Sequence, residues 1–290
     1  MMAGIDQVSY FSGMKKSFDD KSRLIDFAKK GSVLEIGFGE GDLLALFQEK
    51  GFDAYGIDAS ETSMKVASAK HGSKLKNIAY GSAFDIHKIY KGKTFDNVIL
   101  CSSLHEIYSY ERNRLIDNGH DHPEASARTK VNLMFFNIYN LLNVGGKIII
   151  RDGVAPKNGR SRALINKKKY GHLLKELLFS KYQIFNEVTI KNNINCENYY
   201  IEGLNCDIAE ILFTLCWGED AFERESKETY TAFSDFDLIN SVGLFRFKLK
   251  HSEEYITDGY AKFFRECYLT NNENNDINFH SNKIWVFEKR

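Results

Sequence analysis

The feature that most constrains the fold of this chain is a glycine-rich segment near its start. Residues 33–41 read VLEIGFGEG, an apolar run that breaks into three glycines at alternate positions. A helical pattern follows at once, with Leu43, Leu44, Leu46 and Phe47 on one face. A buried strand, a glycine-rich turn and a helix in this order bring backbone N–H groups and a helix N-terminus up to a ligand. Because glycine has no Cβ, the turn can be tight and a ligand can lie against the backbone.

The spacing of the glycines distinguishes between classes of nucleotide ligand. A dinucleotide site follows the pattern G-x-G-x-x-G, in which two residues separate the second glycine from the third. Here only Glu40 separates Gly39 from Gly41. The segment therefore reads E-x-G-x-G-x-G, and it resembles the first motif, [D/E]-x-G-x-G-x-G, of the class I S-adenosylmethionine-dependent methyltransferases. A glycine-rich turn with a purely structural role is the alternative, so the assignment depends on the elements that follow.

A second predicted strand, residues 52–58, ends in Asp58. This acid lies within the ~20-residue range expected for a carboxylate that binds ribose hydroxyls at the end of the second strand. The resemblance implies that Asp58 holds both hydroxyls of the adenosyl ribose. An acid that only caps the helix starting near Glu61 is the alternative.

The third and fourth predicted strands are residues 78–81 and 94–101. After the third, the resemblance implies that Asp85 accepts a hydrogen bond from the adenine amino group while Phe84 covers the ring; an N-cap role for Asp85 is the alternative. The fourth strand begins with Phe-Asp, a pair typical of the family, and runs into residues 102–107, which we expect to face the transferred methyl group.

We therefore expect an α/β, Rossmann-like class I methyltransferase fold. It would have a seven-stranded, mostly parallel sheet with an antiparallel last strand, and a helical insertion after strand 5. The expected parts are an N-terminal helical cap (1–30), the cofactor-binding core (31–152), an inserted subdomain that covers the substrate (153–233), and the last helix with strands 6 and 7 (234–290). A mobile loop over the site is expected at residues 108–124, which are polar and contain turn signals.

In the N-terminal cap, Tyr10, Phe11 and Met14 either pack on the sheet or form part of a lid over the cofactor. The cofactor implied by the resemblance is S-adenosyl-L-methionine. The residues expected to contact it surround the glycine turn and the ends of the neighbouring strands. These are Glu35, Gly37, Phe38, Gly39, Gly41, Asp58, Ala59, Ala83, Phe84, Asp85 and Ser102.

Methyl transfer needs few chemical groups, because the cofactor is already activated and the protein mainly aligns the reactants. If the acceptor is a hydroxyl, a base helps to remove its proton. His105 is the candidate base, since histidine titrates near neutral pH, and Glu106 would orient it. The alternative for His105 is packing under the cofactor or holding the loop by hydrogen bonds, and the alternative for Glu106 is a pair with an arginine. Tyr108, Arg151 and Trp217 are candidate substrate contacts. Core packing is the alternative for the two aromatic residues, and an ion pair with Asp152 or Glu106 is the alternative for Arg151.

The numbers of basic and acidic residues indicate which class of partner the chain could bind. Lys+Arg and Asp+Glu are both 39, which argues against a large nucleic-acid footprint but leaves a local basic patch open. The odd number of cysteines without a C-x-x-C pair indicates reduced thiols in a cytoplasmic protein, and no stretch could span a bilayer. The triplet at residues 120–122, His-Asp-His, lacks the Glu-x-x-Glu-His pattern of metal-dependent RNA methyltransferases, so no metal is expected there.

The expected function is methylation of a hydroxyl on a small molecule. RNA ribose or protein methylation is the first alternative, and a non-catalytic S-adenosylmethionine-binding scaffold is the second. The sequence leaves the identity of the acceptor and the oligomeric state open.

Overall fold

The computed structural model describes residues 18–192 and 196–290. Tyr10, Phe11 and Met14 of the expected lid therefore lie outside the described residues. Within the described ranges the strands are β1 (Ser32–Ile36), β2 (Asp53–Asp58), β3 (Ile78–Tyr80), β4 (Phe95–Cys101), β5 (Leu142–Asp152), β6 (Arg160–Asn166), β7 (Val188–Lys191), β8 (Asn198–Leu204), β9 (Phe247–Tyr255), β10 (Thr270–Asn271) and β11 (Asn282–Lys289).

The main sheet has seven strands in the order β3-β2-β1-β4-β5-β11-β9. Strands β1 to β5 are parallel, and β11 runs antiparallel between β5 and β9. This is the sheet expected from the sequence, so the predicted class I methyltransferase fold is confirmed. Because β1 and β4 lie side by side near the middle, their carboxyl ends open at the point where the strand order reverses, which is where open α/β sheets bind ligands.

Helices cover both faces of this sheet. Among the described residues they are α1 (Phe18–Ser22), α2 (Leu24–Phe27), α3 (Asp42–Glu49), α4 (Glu61–His71), α5 (Ile86–Ile89), α6 (Leu104–Asp117), α7 (Pro123–Leu141), α8 (Lys167–Leu178), α9 (Asn205–Leu215), α10 (Glu219–Glu225), α11 (Asp235–Gly243) and α12 (Asp258–Glu266). None of these helices has the combination of length and apolar character that crossing a bilayer requires.

The alternation of side chains along the strands produces the two covered faces. Leu34 and Ile36 of β1 pack in one apolar cluster with α7 and α11, whereas Val33 packs in another with α3. Apolar residues on both sides of a strand are what a parallel strand buried on both faces needs.

The prediction of a loop at residues 108–124 is wrong, because most of this stretch belongs to helix α6, which continues to Asp117. The sequence pattern did not predict this helix, because several of the positions that the helix buries are polar. Glu111 is 2% exposed, and its carboxylate pairs with Arg114 at 2.7 Å and with Lys130 at 2.8 Å. These ion pairs allow polar side chains to occupy a face that would otherwise require an apolar stripe.

The segment after β5 contains the helices that the sequence indicated, and in addition a four-stranded antiparallel sheet in the order β10-β6-β8-β7. Strand β10 and helix α12 come from the stretch between β9 and β11. Phe263 and Phe264 of α12 pack in the same apolar cluster as Phe213 of α9. The inserted layer is therefore built from two separate parts of the chain.

Candidate functional site

The glycine turn after β1 has the backbone that its sequence predicts. Gly37, Gly39 and Gly41 have φ of +77°, +56° and +79°, a region that favours glycine. A Cβ on Gly37 would lie 2.7 Å from Cβ of Ser103, and one on Gly41 would lie 2.6 Å from Cδ1 of Leu75. The absence of side chains thus lets the turn pack closely against the start of α6 on one side and the residues after α4 on the other.

Asp58, at the end of β2, lies directly against this turn. Its Oδ2 accepts a hydrogen bond from the Gly39 N–H at 2.9 Å, and its Oδ1 accepts one from the Ser60 N–H at 2.8 Å. Burial raises the pKa of Asp58, although these two hydrogen bonds act in the opposite direction. Gly37, Gly39 and Asp58 all remain partly exposed. Each carboxylate oxygen has a second lone pair, so the acid can still accept hydroxyl hydrogen bonds.

Two of the expected cofactor residues lie beneath the turn rather than on its surface. Glu35 is 3% exposed, its Oε2 has no hydrogen-bond partner among the described residues, and burial raises its pKa to about 8 against the charge of Lys21. Phe38 is 4% exposed, and its ring occupies the space that a Cβ on Gly56 would need. The side chain of Phe38 therefore belongs to the core, and only its backbone is at the turn.

The segment expected to contact adenine is adjacent to Asp58. The Gly81 N–H donates to the Asp58 carbonyl at 2.9 Å, and a 3-10 turn, Ala83–Asp85, follows. Ala83 is buried, and the ring of Phe84 lies 4.5 Å from the Lys130 ammonium. The exposed carboxylate of Asp85 pairs with Lys88 at 2.7 Å, which lowers the pKa of Asp85. Ala59 is exposed at the end of β2.

The corner between β4 and α6 connects the glycine turn to the ends of β4 and β5. Ser103 Oγ donates to the Ile36 carbonyl at 2.8 Å, which fixes the corner to the last residue of β1. Ser102 has φ of +55°, which is uncommon for a residue with a side chain. Its hydroxyl contacts the guanidinium of Arg151.

The guanidinium of Arg151, a candidate substrate contact, is buried and contacts side chains of the protein. Besides Ser102, its guanidinium pairs with Asp20 of α1 and donates to the Tyr255 hydroxyl at 2.9 Å. Arg151 is 4% exposed. The ion-pair alternative therefore describes its contacts, although the partner is Asp20 and not Asp152 or Glu106.

His105, the candidate base, lies between two carboxylates. Its Nδ1 is 2.5 Å from Asp152 Oδ1 and its Nε2 is 3.3 Å from Glu228 Oε2, while its ring stacks on Tyr230 at 4.9 Å. Burial lowers the pKa of His105, but Asp152 and Glu228 outweigh burial and hold the pKa well above its usual value. Both ring nitrogens of His105 therefore face carboxylate oxygens of the protein, and neither is left open to a substrate hydroxyl.

Three buried glutamates of the inserted segment contact this histidine or its stacking partner Tyr230, and the sequence did not identify them. They are Glu210, Glu225 and Glu228, which lie in a stretch without a recognisable motif. Glu210 accepts from the Tyr230 N–H at 3.0 Å, and burial raises its pKa to about 7. Burial and the charge of Glu228 also raise the pKa values of Glu106 and Glu225.

The two aromatic candidates for substrate contact fit the packing alternative. Tyr108 is 3% exposed and packs against Phe233 with a ring separation of 5.5 Å. Trp217 packs on Tyr260 at 6.4 Å within the apolar cluster of the inserted segment.

Comparison with known proteins indicates the family of this chain. A family model described as a methyltransferase domain matches residues 11–177, more than half of the chain. A protein from Alkaliphilus oremlandii (strain OhILAs), named as an uncharacterized methyltransferase, is 26% identical over 164 residues, which are 56% of this chain and 65% of that protein. The match therefore spans less than two thirds of that relative's length.

Two solved structures can be compared with this fold, and the first of them shares it. A protein from Bacillus halodurans C-125, described as a methyltransferase, aligns with a TM-score of 0.50 at 13% identity and covers 93% of this chain and 99% of that chain. An S-adenosylmethionine-dependent methyltransferase from Clostridium acetobutylicum ATCC 824 aligns with a TM-score of 0.46 at 12% identity and covers 99% of this chain and 92% of that chain.

The residues at the turn suit the cofactor of this family, because an open glycine backbone and a partly exposed Asp58 carboxylate can hold an adenosyl ribose. The family match extends over the turn, Asp58 and the β4–α6 corner. The chain therefore belongs to the S-adenosylmethionine-dependent methyltransferases.

Proposed function

We propose that this enzyme transfers the methyl group of S-adenosyl-L-methionine to a hydroxyl oxygen of a small molecule. The observation that carries the proposal is the enclosure of titratable groups at the carboxyl ends of β4 and β5. His105 follows β4 and Asp152 ends β5, while Glu228 and Tyr230 of the inserted segment cover them. An acceptor that reaches these buried groups has to fit beneath the inserted segment, which favours a small molecule over a polymer.

The bound cofactor supplies an activated methyl group, so the protein's task is alignment. The turn and Asp58 would hold the adenosyl group. The Ser103 hydrogen bond to Ile36 ties the turn to the corner that carries His105. Both reactants would thus be positioned by one connected corner, which favours the in-line geometry that displacement at the methyl carbon requires.

The hydroxyl proton must leave as the new C–O bond forms. Because both ring nitrogens of His105 already face carboxylate oxygens, we assign proton acceptance to the carboxylate of Glu228 and give His105 the role of a positioning residue that orients this carboxylate. An acceptor hydroxyl would lie beside the Glu228 carboxylate and donate its proton to it as the hydroxyl oxygen attacks the methyl carbon.

Cofactor binding tests the first half of this proposal. Asp58→Ala removes the acid that would accept from the ribose, and we expect calorimetry to show S-adenosylmethionine affinity at least 100-fold lower, about 2.7 kcal/mol. The matched control is Asp53→Ala, which changes an exposed acid at the other end of β2 and should leave the affinity unchanged. If Asp58→Ala bound S-adenosylmethionine as tightly as the wild type does, Asp58 would not be a cofactor-binding residue.

The acceptor is tested by incubating the enzyme with the cofactor and a panel of hydroxylated small molecules while S-adenosylhomocysteine is measured. We expect release that depends on the acceptor, and Glu228→Gln should reduce kcat with little change in cofactor affinity. Release only with RNA or protein would move the assignment to those acceptors. Cofactor binding without release for any acceptor would favour a scaffold.

A further inference from the structure

We propose that His105, Glu106 and Glu228 form a binding site for one divalent transition-metal cation of the Zn²⁺ or Mn²⁺ type. Each of these side chains offers one ligand atom, and the three atoms lie within 4.8 Å of one another. His105 Nε2 and Glu228 Oε2 are already 3.3 Å apart. Bonds of about 2.0–2.2 Å from nitrogen and oxygen to zinc in a tetrahedral site place neighbouring ligand atoms at about this separation.

The second observation is the way Asp152 holds the histidine. Asp152 Oδ1 lies 2.5 Å from Nδ1 of His105, and its Oδ2 accepts from the Leu104 N–H at 2.7 Å. Asp152 is thus fixed by the first turn of α6, and it leaves Nε2 of the ring facing Glu228. A carboxylate that binds the distal nitrogen of a histidine is the arrangement that orients histidine ligands in metal sites.

The third observation is the balance of charge around this position. Asp152 and Glu228 contact His105, Glu225 and Glu228 contact Arg224, and Glu106 adds a fourth carboxylate. The guanidinium of Arg224 pairs with Glu225, and its Nε is 3.7 Å from Glu228 Oε1. Buried carboxylates in proteins are paired or bind metals, and a dication would offset the excess of acid.

The donor set indicates the type of cation. One imidazole nitrogen with two carboxylate oxygens suits zinc, manganese or iron, whereas calcium and magnesium sites are built from oxygen alone. Three protein ligands leave a coordination position open, as in catalytic zinc sites. An acceptor oxygen bound there would lose its proton more readily, an extension that rests on the proposed function. In that case the cation would take over the task assigned above to Glu228.

This site departs from the sequence-based expectation of no metal. His105 and Glu106 are adjacent in the chain, but Glu228 lies in the inserted segment, so the ligands have no short spacing that a sequence pattern could show. The three ligands come together only when the inserted segment folds against the start of α6.

The test uses the full-length protein after removal of metal with a chelator and dialysis. Titration with ZnCl₂ in a calorimeter should show one site per chain with a micromolar or lower Kd, and Co²⁺ should give visible absorption bands with the same stoichiometry. Glu106→Gln and Glu228→Gln should each weaken Zn²⁺ binding at least tenfold. The matched control, Glu223→Gln, changes an exposed glutamate near α10's end and should bind as the wild type does.

Absence of Zn²⁺ binding by the wild type overturns the inference, and so does equal affinity in the two glutamate variants, which would place the ion on other residues. S-adenosylmethionine affinity measured on the same samples shows whether each variant is folded. If a glutamate variant fails to fold, His105→Gln tested in the same way takes its place. A wild type that binds the cofactor but not Zn²⁺ contradicts this inference alone, whereas a wild type that binds Zn²⁺ but not the cofactor contradicts the proposed function alone.

Discussion

The carboxyl group of Glu35 allows a quantitative test of how burial affects this sheet. Glu35 lies in β1, it is 3% exposed, and its Oε2 has no hydrogen-bond partner among the described residues. Burial raises its pKa from 4.5 to about 8. Between pH 5.5 and 7.5 the folded protein therefore keeps this proton, while the unfolded chain has lost it.

The sign and size of the effect follow from proton linkage. The free energy of unfolding changes with pH by 2.303RT times the protons bound in the unfolded state minus those bound in the folded state. For Glu35 this difference is close to minus one, so stability falls by about 1.4 kcal/mol per pH unit, or about 2.7 kcal/mol between pH 5.5 and 7.5. Glu35→Gln removes this contribution and keeps the size of the side chain. The stability of the variant relative to the wild type should therefore rise by that amount over this range.

The measurement is urea unfolding of the cofactor-free protein at pH 5.5, 6.5 and 7.5, followed by circular dichroism. Other titrating groups contribute equally to both proteins, so only the difference between the two curves is interpreted. Glu49→Gln, which changes an exposed glutamate at the end of α3, is the control and should follow the wild type at every pH. A difference between Glu35→Gln and wild type that stays constant with pH would mean that Glu35 is ionised in the fold, and would refute the reasoning.

Two further perturbations test the glycine turn and the attachment of α1. Gly41→Ala adds a Cβ at φ of +79° and 2.6 Å from Leu75, and should lower the free energy of unfolding by roughly 2–4 kcal/mol; Gly51→Ala, at φ of +80° with open space around it, should lower it by only about 1–2 kcal/mol. Equal losses in urea unfolding would show that contact with Leu75 is unimportant. Arg151→Ala removes the partner of Asp20, so trypsin should cleave after Lys21 and Arg23 faster than in the wild type, and an unchanged cleavage rate would contradict the role of this ion pair.

The sequence predicted the cofactor side of the molecule well because its signals are local. The three glycines, the apolar strand before them and Asp58 lie within 26 residues, and each part needs only its neighbours to be recognised. Helix α6 was missed because ion pairs of Glu111 replace the apolar residues that a helical stripe would show. Glu228 was missed because its relation to His105 exists only after the inserted segment has folded.

The stacking of Tyr230 on His105 has a consequence for partial unfolding. The histidine contacts two distant stretches of chain, at Asp152 and at Glu228 with Tyr230, whereas the turn and Asp58 are contiguous with the central sheet. Loosening of the inserted layer alone would open the carboxylates to water and leave the nucleoside-binding surface in place. Mild denaturant should then abolish turnover at concentrations where the protein still retains its cofactor.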